Sequence, residues 1–336
     1  MEIKWGIIGV GDVTEVKSGP AFRKIEHSDL VAVMRRNAAK AKDYAERHGV
    51  AKWYSDAQQL IDDPEVNAIY IATPPDSHVF YASAALRAGK PVYLEKPMTL
   101  NGTEAKELVQ LQQNCQGKLT VAHYRREQPY FKKVKELIDF HIGVPRVANL
   151  RYYQQPLSDE VMQSARMQWR LNPEQSGGGL FHDLAPHQID LMCCFFGNVA
   201  FSKGVAHNQA GLYAAPDVVS GEVLFENDVL FNGQWAFNVA EELDVCEVIG
   251  SAGRISFSVF SNRPIELVNK LGVQQFSFES LAHVQQPMIA AVVAYFRGEK
   301  SNPCSVQEGY EVMSVMDNFV TPTPGVSSGF PPEARQ

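Results

Sequence analysis

Short apolar runs alternate with stretches of helical spacing over the first third of the chain. The first run ends at Gly9, and apolar residues at helical spacing follow it as far as Ile25. Apolar runs bounded by turn residues are typical of buried strands, whereas a 3.6-residue spacing is typical of helices. Further strands are predicted at 30–34, 53–54, 68–72, 91–94 and 119–122, and helices at 38–48, 56–61, 78–89 and 103–115. This alternation predicts a parallel, doubly wound α/β sheet.

The pattern changes near residue 123. Polar and apolar residues then alternate, and short polar turns such as Glu226-Asn227-Asp228 join successive runs, which is typical of an antiparallel sheet with one exposed face. Strands are predicted at 146–154, 199–207, 218–225, 229–236, 244–249 and 254–259, and helices at 130–140, 284–297 and 306–319. We therefore expect a first domain over 1–122, an α+β domain over 123–320, and an irregular tail over 321–336.

A glycine pair follows the first predicted strand directly. In Gly9-x-Gly11 the first glycine allows a tight turn, and the second lets the backbone approach a pyrophosphate at a helix N-terminus. Thr14 stands where the usual motif has its third glycine. We expect Gly9, Gly11, Asp12 and Val13 to contact a dinucleotide, and an ordinary strand-to-helix turn is the alternative.

Two arginines follow the second predicted strand. An acidic residue that binds the adenosine ribose of NAD is expected about 20 residues after the glycines. Arg35 and Arg36 stand there instead, and a guanidinium suits a 2′-phosphate far better than a diol. The sequence therefore favours NADP, with NAD as the second choice. A solvated pair of loop arginines is the alternative.

The loops after two further strands carry candidate binding residues. Ligands bind at the carboxyl ends of the strands in such sheets. Thr73, Pro74 and His78 follow one strand, and Glu95 and Lys96 follow the next. We expect these five residues beside the cofactor, although His78 and Lys96 could also be ordinary surface side chains.

A glycine-rich segment in the second part precedes a helical pattern with an Asp–His pair. After Gly177-Gly178-Gly179, Asp183 and His187 are four residues apart and share a face of a continuous helix. A histidine with an ordinary pKa of about 6.5 can act as a general acid or base near neutrality. A purely structural His–Asp hydrogen bond is the alternative. Pro186 predicts a kink or a first-turn position.

Metal binding was considered for the same segment. His182, Asp183, His187 and Asp190 have the right chemistry, but their spacing differs from H-E-x-x-H, and no further ligand cluster is evident. We therefore expect no metal.

Composition narrows the class of protein. The 336 residues are 45% hydrophobic and 21% charged, as in ordinary globular proteins, and the net charge of −7 argues against binding nucleic acid or anionic membranes. No apolar run reaches the roughly 18–20 residues of a membrane span. Five cysteines without C-x-x-C spacing favour buried thiols and a cytoplasmic location.

Taken together, these motifs resemble the glucose–fructose oxidoreductase/inositol dehydrogenase (Gfo/Idh/MocA) family. The segments that match are Gly9-x-Gly11, Ala72-Thr73-Pro74-Pro75-x-x-His78, Glu95-Lys96-Pro97 and Gly177-Gly178-Gly179-x-x-x-Asp183-x-x-x-His187-x-x-Asp190. The resemblance implies a Rossmann domain followed by a domain whose large, open sheet commonly forms a homodimer or homotetramer interface. It also implies a catalytic role for Lys96, a cis bond before Pro97, a general acid/base role for His187, and a role for Asp183 in orienting the reacting hydroxyl.

The resemblance implies an NAD(P)-dependent enzyme. Its reaction would be a reversible hydride transfer at a secondary alcohol or carbonyl group of a sugar or polyol, with Lys96 and His187 flanking one cleft. Aromatic and polar side chains suited to a sugar pocket are Tyr124, Arg125, Trp169 and Arg170. Two alternatives stay open at this point: NAD-assisted glycoside cleavage on the same fold, and a dinucleotide-sensing regulator without activity.

Overall fold

The computed structural model describes residues 1–321, and the first part of the chain forms a six-stranded sheet with helices on its faces. Its strands are β1 (Ile3–Ile8), β2 (Ser28–Met34), β3 (Lys52–Tyr54), β4 (Ala68–Ile71), β5 (Val92–Leu94) and β6 (Leu119–Val121). Its helices are α1 (Asp12–Val16), α2 (Ala38–His48), α3 (Ala57–Asp62), α4 (His78–Arg87) and α5 (Gly102–Cys115).

The strand order is β3-β2-β1-β4-β5-β6, and every pair is parallel. This confirms the predicted doubly wound sheet. The order reverses between β1 and β4, so the loops that leave these two strands diverge and open a crevice at their carboxyl ends. The crevice lies beside the Gly9 turn and the Thr73 loop.

The helical spacing that extends to Ile25 in the sequence does not form one continuous α-helix. The α-helix ends at Val16, and a 3₁₀ helix covers Gly19–Lys24. Pro20 has no N–H for a helical hydrogen bond, and a side chain on Gly19 would meet the carbonyl oxygen of Thr14 at 2.2 Å. The chain therefore turns sharply between the two short helices.

The second part of the chain forms an eight-stranded sheet. Its strands are β7 (Pro145–Tyr153), β8 (Val199–His207), β9 (Val218–Phe225), β10 (Leu230–Ala236), β11 (Leu243–Gly250), β12 (Gly253–Phe257), β13 (Ile265–Asn269) and β14 (Gly272–Phe276). Its helices are α6 (Pro129–His141), α7 (Asp159–Gln163), α8 (Ala165–Leu171), α9 (Pro173–Ser176), α10 (Gly179–Phe196), α11 (Gln286–Phe296) and α12 (Val306–Val320).

This sheet runs β14-β13-β12-β11-β7-β10-β9-β8 and is antiparallel except for the β7–β10 pair. The mostly antiparallel sheet was predicted, but β13 and β14 were not. The strand β14 is largely exposed and therefore lacks the alternation that revealed the others. The short helices α7, α8 and α9 were missed because none is long enough to show a helical period.

The helix α10 is buried on nearly all sides. Apolar residues occur on every side of α10, which is typical of a helix enclosed by other elements. Pro186 is its eighth residue and does not end it, so the predicted first-turn position was wrong. Asp183 and His187 therefore lie on one continuous helix.

The C-terminal segments return to the first sheet. The Asp317 carboxylate accepts a hydrogen bond from the Gly102 amide at 2.8 Å, and Thr120 Oγ1 donates to Asn302 at 2.8 Å. Helix α12 packs on both α5 and α10, which joins the two halves of the molecule. The division near residue 123 stays a prediction, and of the predicted tail only Thr321 lies within the described residues.

Between residues 1 and 321, no helix combines the length and the apolar character that a membrane span requires.

Candidate active site

The turn after β1 requires glycine at its first position. Gly9 has a φ of +95°, and a side chain there would lie 2.5 Å from Thr73 Cγ2 and 2.8 Å from Thr73 N. A side chain on Gly11 would meet nothing within 4 Å among the described residues. Gly9 thus lets two loops touch, while Gly11 leaves open space for a ligand to approach the backbone.

Thr14 closes this turn with its hydroxyl group. The Gly11 amide donates to Thr14 Oγ1 at 2.9 Å, and Oγ1 donates to Gly11 O at 2.8 Å. The first helical hydrogen bond comes from the Thr14 amide, so the amides of Asp12 and Val13 precede it and can bind a ligand or water. The departure from a third glycine therefore fits an anion-binding turn.

The end of β2 presents two cationic side chains. Arg35 is half-buried and Arg36 is exposed, and the Arg35 amide donates to Tyr54 O at 3.2 Å. Within residues 1–321 neither guanidinium forms a hydrogen bond or an ion pair. Both are therefore free to bind a phosphate.

His78 is buried, so its interpretation as a surface side chain was wrong. Its Nε2 lies 2.8 Å from Thr73 O, and its Nδ1 lies 3.0 Å from Pro97 O. Burial lowers the pKa of this imidazole. His78 ties the Thr73 loop to the Pro97 loop and thus positions residues that were predicted to contact the cofactor.

Glu95 is also buried. Its carboxylate accepts hydrogen bonds from the Tyr70 hydroxyl at 2.5 Å, the Gln285 side-chain amide at 2.6 Å and the Lys96 backbone amide at 3.1 Å. Gln285 comes from the segment before α11, and no local sequence signal pointed to it. The predicted cofactor residue Glu95 thus holds the loop that carries Lys96.

Lys96 joins the two halves of the site. Its ammonium group lies 2.8 Å from Asp183 Oδ1 and 2.7 Å from Asp183 O, and its side chain is only 12% exposed. The Lys96–Pro97 bond is cis, as the family resemblance implied. Arg170 Nε donates to the other carboxylate oxygen, Oδ2, at 3.1 Å. Burial alone would raise the pKa of Asp183, but the two cations outweigh it and lower the pKa to about 2.

His187 lies one helical turn beyond Asp183 in an aromatic surround. Its ring packs edge-on against Tyr124, with centroids 5.0 Å apart, and against Phe260 at 5.8 Å. Burial, together with the nearby charges of Lys96 and Arg125, holds the pKa of His187 well below 6.5. Its Nδ1 has no hydrogen-bond partner in the described part of the chain. The imidazole is therefore neutral at pH 7 and can accept a proton.

Two of the other predicted pocket residues are arginines that lie over aromatic rings: Arg170 also pairs with Asp183, and Arg125 lies over the ring that contacts His187. Arg170 lies over the Trp169 ring at 4.4 Å, and Arg125 lies over the Tyr124 ring at 5.5 Å. Phe260, which contacts both His187 and Arg125, was not predicted. It follows β12 in a loop whose sequence has no motif, so only the tertiary structure reveals it.

The residues weighed as metal ligands face different partners. The Asp190 carboxylate accepts hydrogen bonds from Arg126 Nη2 at 2.6 Å and Nε at 3.0 Å, and His182 packs against Gly178. Within the described residues, no three side chains of ligand type come together as a metal site.

Two family models match the chain. Residues 3–123 match a family model described as the oxidoreductase family with an NAD-binding Rossmann fold, and residues 131–256 match the GFO/IDH/MocA C-terminal domain. Oxidoreductase P35 of Formosa agariphila is 49% identical over 94% of this chain and 98% of that protein. The 1,5-anhydro-D-fructose reductase of Ensifer adhaerens is 26% identical over 91% of this chain and 92% of that protein.

Among solved structures, levoglucosan dehydrogenase in complex with NADH and levoglucosan has a TM-score of 0.83. It is 21% identical and covers 95% of this chain and 96% of that one. At this identity the similarity shows the fold. The crevice beside Gly9 lies within the residues that match the family model of the NAD-binding Rossmann fold.

Proposed function

This chain belongs to the GFO/IDH/MocA family of oxidoreductases, and we propose that it transfers hydride reversibly between NADP and a secondary alcohol or carbonyl group of a sugar or polyol. The observation that carries the proposal is the Lys96–Asp183 ion pair, one helical turn from the neutral His187. Names of similar proteins support the substrate class, since one is a 1,5-anhydro-D-fructose reductase and another holds levoglucosan with NADH.

The first sheet has the residues to hold a dinucleotide. The open space at Gly11 and the amides of Asp12 and Val13 suit its pyrophosphate, and the loop at Thr73 and Pro74 borders the same crevice. When bound, the nicotinamide would supply the hydride acceptor or donor. The guanidinium groups of Arg35 and Arg36, which have no ion-pair partner within residues 1–321, suit a 2′-phosphate, and this favours NADP, with NAD as the second choice.

The catalytic roles follow from charge. As the alcohol carbon gives up its hydride, the neutral His187 takes the hydroxyl proton, and in the reverse direction it returns that proton to the oxygen. Lys96 places its ammonium group where negative charge develops on that oxygen. Asp183 orients Lys96 and the hydroxyl group, while Tyr124 and Trp169 provide apolar walls for the sugar ring.

We also propose a homodimer or homotetramer through the outer face of the large sheet. Cross-strand register places Phe201, Leu224, Leu230, Val147 and Ile249 in one row across five strands. Four of these side chains are between 36% and 51% exposed, and Val147 is half-buried. Such a contiguous apolar row is typical of an interface. Light scattering should give a multiple of 37.4 kDa, and a monomer would contradict this assembly.

Turnover tests the activity directly. The purified protein is incubated with NADP or NAD and a panel of sugars and polyols, and the absorbance of the reduced nicotinamide is followed. We expect reduction of NADP with at least one sugar. Cleavage of a nitrophenyl glycoside without net reduction would instead support the glycoside-cleaving alternative, and tight dinucleotide binding without any turnover would support a regulator.

A further inference from the structure

A second cavity adjoins the candidate active site. It has a volume of about 350 Å³ and lies between the start of α6, the loop after β12 and the segment 278–284. Arg125 and Phe260 line it. His187 does not line the cavity, but Phe260 contacts His187, with ring centroids 5.8 Å apart. Arg125 provides a second link to the candidate active site, because its guanidinium group lies 5.5 Å from the centroid of the Tyr124 ring, which packs against His187.

Arg125 is a cation without an anion. Its guanidinium group lies 4.7 Å from the centroid of the Phe260 ring, and its Nη1 donates to the backbone oxygen of Val259 at 2.6 Å. Its Nε is buried without an acceptor, and no carboxylate pairs with Arg125 among residues 1–321. The Arg125 side chain as a whole is half-buried, but a buried N–H donor such as its Nε costs free energy when it has no acceptor.

The charge of the adjacent residue, Arg126, is compensated by carboxylates. Arg126 pairs with Asp190 at 2.6 Å and with Glu308 at 2.5 Å. Both arginines come from the short 3₁₀ helix Tyr124–Glu127, yet within residues 1–321 only Arg126 pairs with carboxylates. The difference indicates that the anion for Arg125 comes from outside the described chain.

The carboxylates close to Arg125 are already engaged. Asp183 is held by Lys96 and Arg170. Asp244 accepts hydrogen bonds from the backbone amides of residues 259–261 at 2.7 to 3.0 Å. Glu279 lines the cavity from an exposed position and forms no ion pair with Arg125. Among the described residues, the Arg125 guanidinium group therefore has no carboxylate in an ion pair with it, although the cavity lining contains one arginine and one glutamate.

We propose that this cavity binds an acidic group of the sugar substrate, a carboxylate or a sulfate, with Arg125 as its ion-pair partner. A planar guanidinium group with free N–H donors suits either oxyanion. Arg125 then determines specificity and takes no part in moving the proton. The inference rests on the proposed function, because it names the class of sugar that the site accepts.

The test compares acidic and neutral sugars in the wild-type protein and in Arg125→Ala and Arg125→Lys. We expect the wild type to prefer a uronate or a sulfated sugar over its neutral parent in kcat/KM. In Arg125→Ala this preference should fall at least tenfold, mainly through KM, and Arg125→Lys should retain part of it. A matched control is Arg87→Ala, at the exposed end of α4, which should keep the full preference.

Calorimetry on the NADP-loaded protein separates this inference from the proposed function. Glucuronate and glucose 6-sulfate serve as probes, and their relative affinities identify the oxyanion that the cavity prefers. If the wild type binds one of them, Arg125→Ala does not, and no sugar is turned over, the cavity proposal stands and the dehydrogenase proposal fails. If neutral sugars are turned over but neither probe binds or competes, the cavity proposal is overturned. Melting curves of both variants show whether they fold.

Discussion

The two sheets contribute to the candidate site in opposite ways. The parallel sheet offers backbone amides at the Gly9 turn and two cations, the half-buried Arg35 and the exposed Arg36, which have no ion-pair partner in the described part of the chain. The helix over the larger sheet offers Asp183 and His187, which are held in a buried network of charges and rings. Groups that act independently near the surface set the affinity for the cofactor. Groups in a buried network set reactivity, because the low polarity of their surroundings strengthens the electrostatic interactions among them.

The largest effect on turnover should come from substitutions in the buried network of Lys96, Asp183 and His187. Lys96→Ala should lower kcat by about 10²–10³-fold, the usual loss when a donor to a developing oxyanion is removed. His187→Ala should lower it by about 10²–10⁴-fold, as for a lost general base. Steady-state kinetics measure both, and NADP affinity, followed by fluorescence, should change little.

The control is Lys132→Ala, whose side chain is 58% exposed on α6 and should leave kcat intact. If Lys96→Ala and His187→Ala lost NADP binding as fully as turnover, the division between the two sheets would be wrong.

Substitution of the two arginines that follow β2 should change the affinity for the dinucleotide and the preference for NADP over NAD. Each guanidinium that binds a phosphate contributes about 1.5–3 kcal/mol, which corresponds to roughly a tenfold or greater change in Kd. We expect Arg35→Ala and Arg36→Ala to weaken NADP binding by this factor while NAD binding changes little. Isothermal titration with both dinucleotides measures this, with Arg87→Ala as the control. Equal losses for NAD and NADP would contradict the assignment of a 2′-phosphate site.

A substitution at Gly9 tests how much the backbone conformation and the close contact with Thr73 contribute to stability at the cofactor crevice. Gly9→Ala should destabilise the protein by about 1–3 kcal/mol, because it combines a positive φ with a collision against Thr73. Gly89→Ala is the matched control, since Gly89 also has a positive φ, of +70°, but has nothing within 4 Å of the added atom among the described residues. Urea unfolding should show the larger loss for Gly9→Ala, and equal losses would remove the role of the Thr73 contact.

The last prediction concerns the dependence of stability on pH. Burial lowers the pKa of His123 and of His182 to about 4. Unfolded histidines bind protons near pH 6.5, so the unfolded state takes up more protons than the folded state between pH 6.5 and 4. Stability should therefore fall as the pH drops through this window, by up to about 1.4 kcal/mol per pH unit for each such histidine.

Denaturant unfolding at pH 7 and pH 5 measures the slope. His123→Asn should reduce it, whereas His141→Asn, at an exposed position at the end of α6, should not. A slope that His123→Asn leaves unchanged would show that other groups cause the loss. The lowered pKa of His187 also predicts that kcat/KM for alcohol oxidation shows no fall due to this group between pH 8 and 6.5.

The chain sequence determined most of the first sheet and the chemistry of the site. Each strand from β1 to β6 was visible as a local apolar run, and the Gly9 turn, Arg35, Lys96, Asp183 and His187 were visible as motifs. The spacing of apolar residues reveals a strand or helix because it reflects which side of that single element is buried. The same signal failed for β13, β14 and the three short helices, where exposure or length removes the period.

Only the tertiary structure decided which of these groups meet. Lys96 pairs with Asp183 from 87 positions away, and Glu95 turns inward to Gln285 from 190 positions away. Neighbouring Arg125 and Arg126 look alike in the sequence, yet one has two carboxylate partners and the other has none among the described residues. Pairing across distant elements depends on how whole helices and sheets pack, and residue spacing within one element does not contain that information.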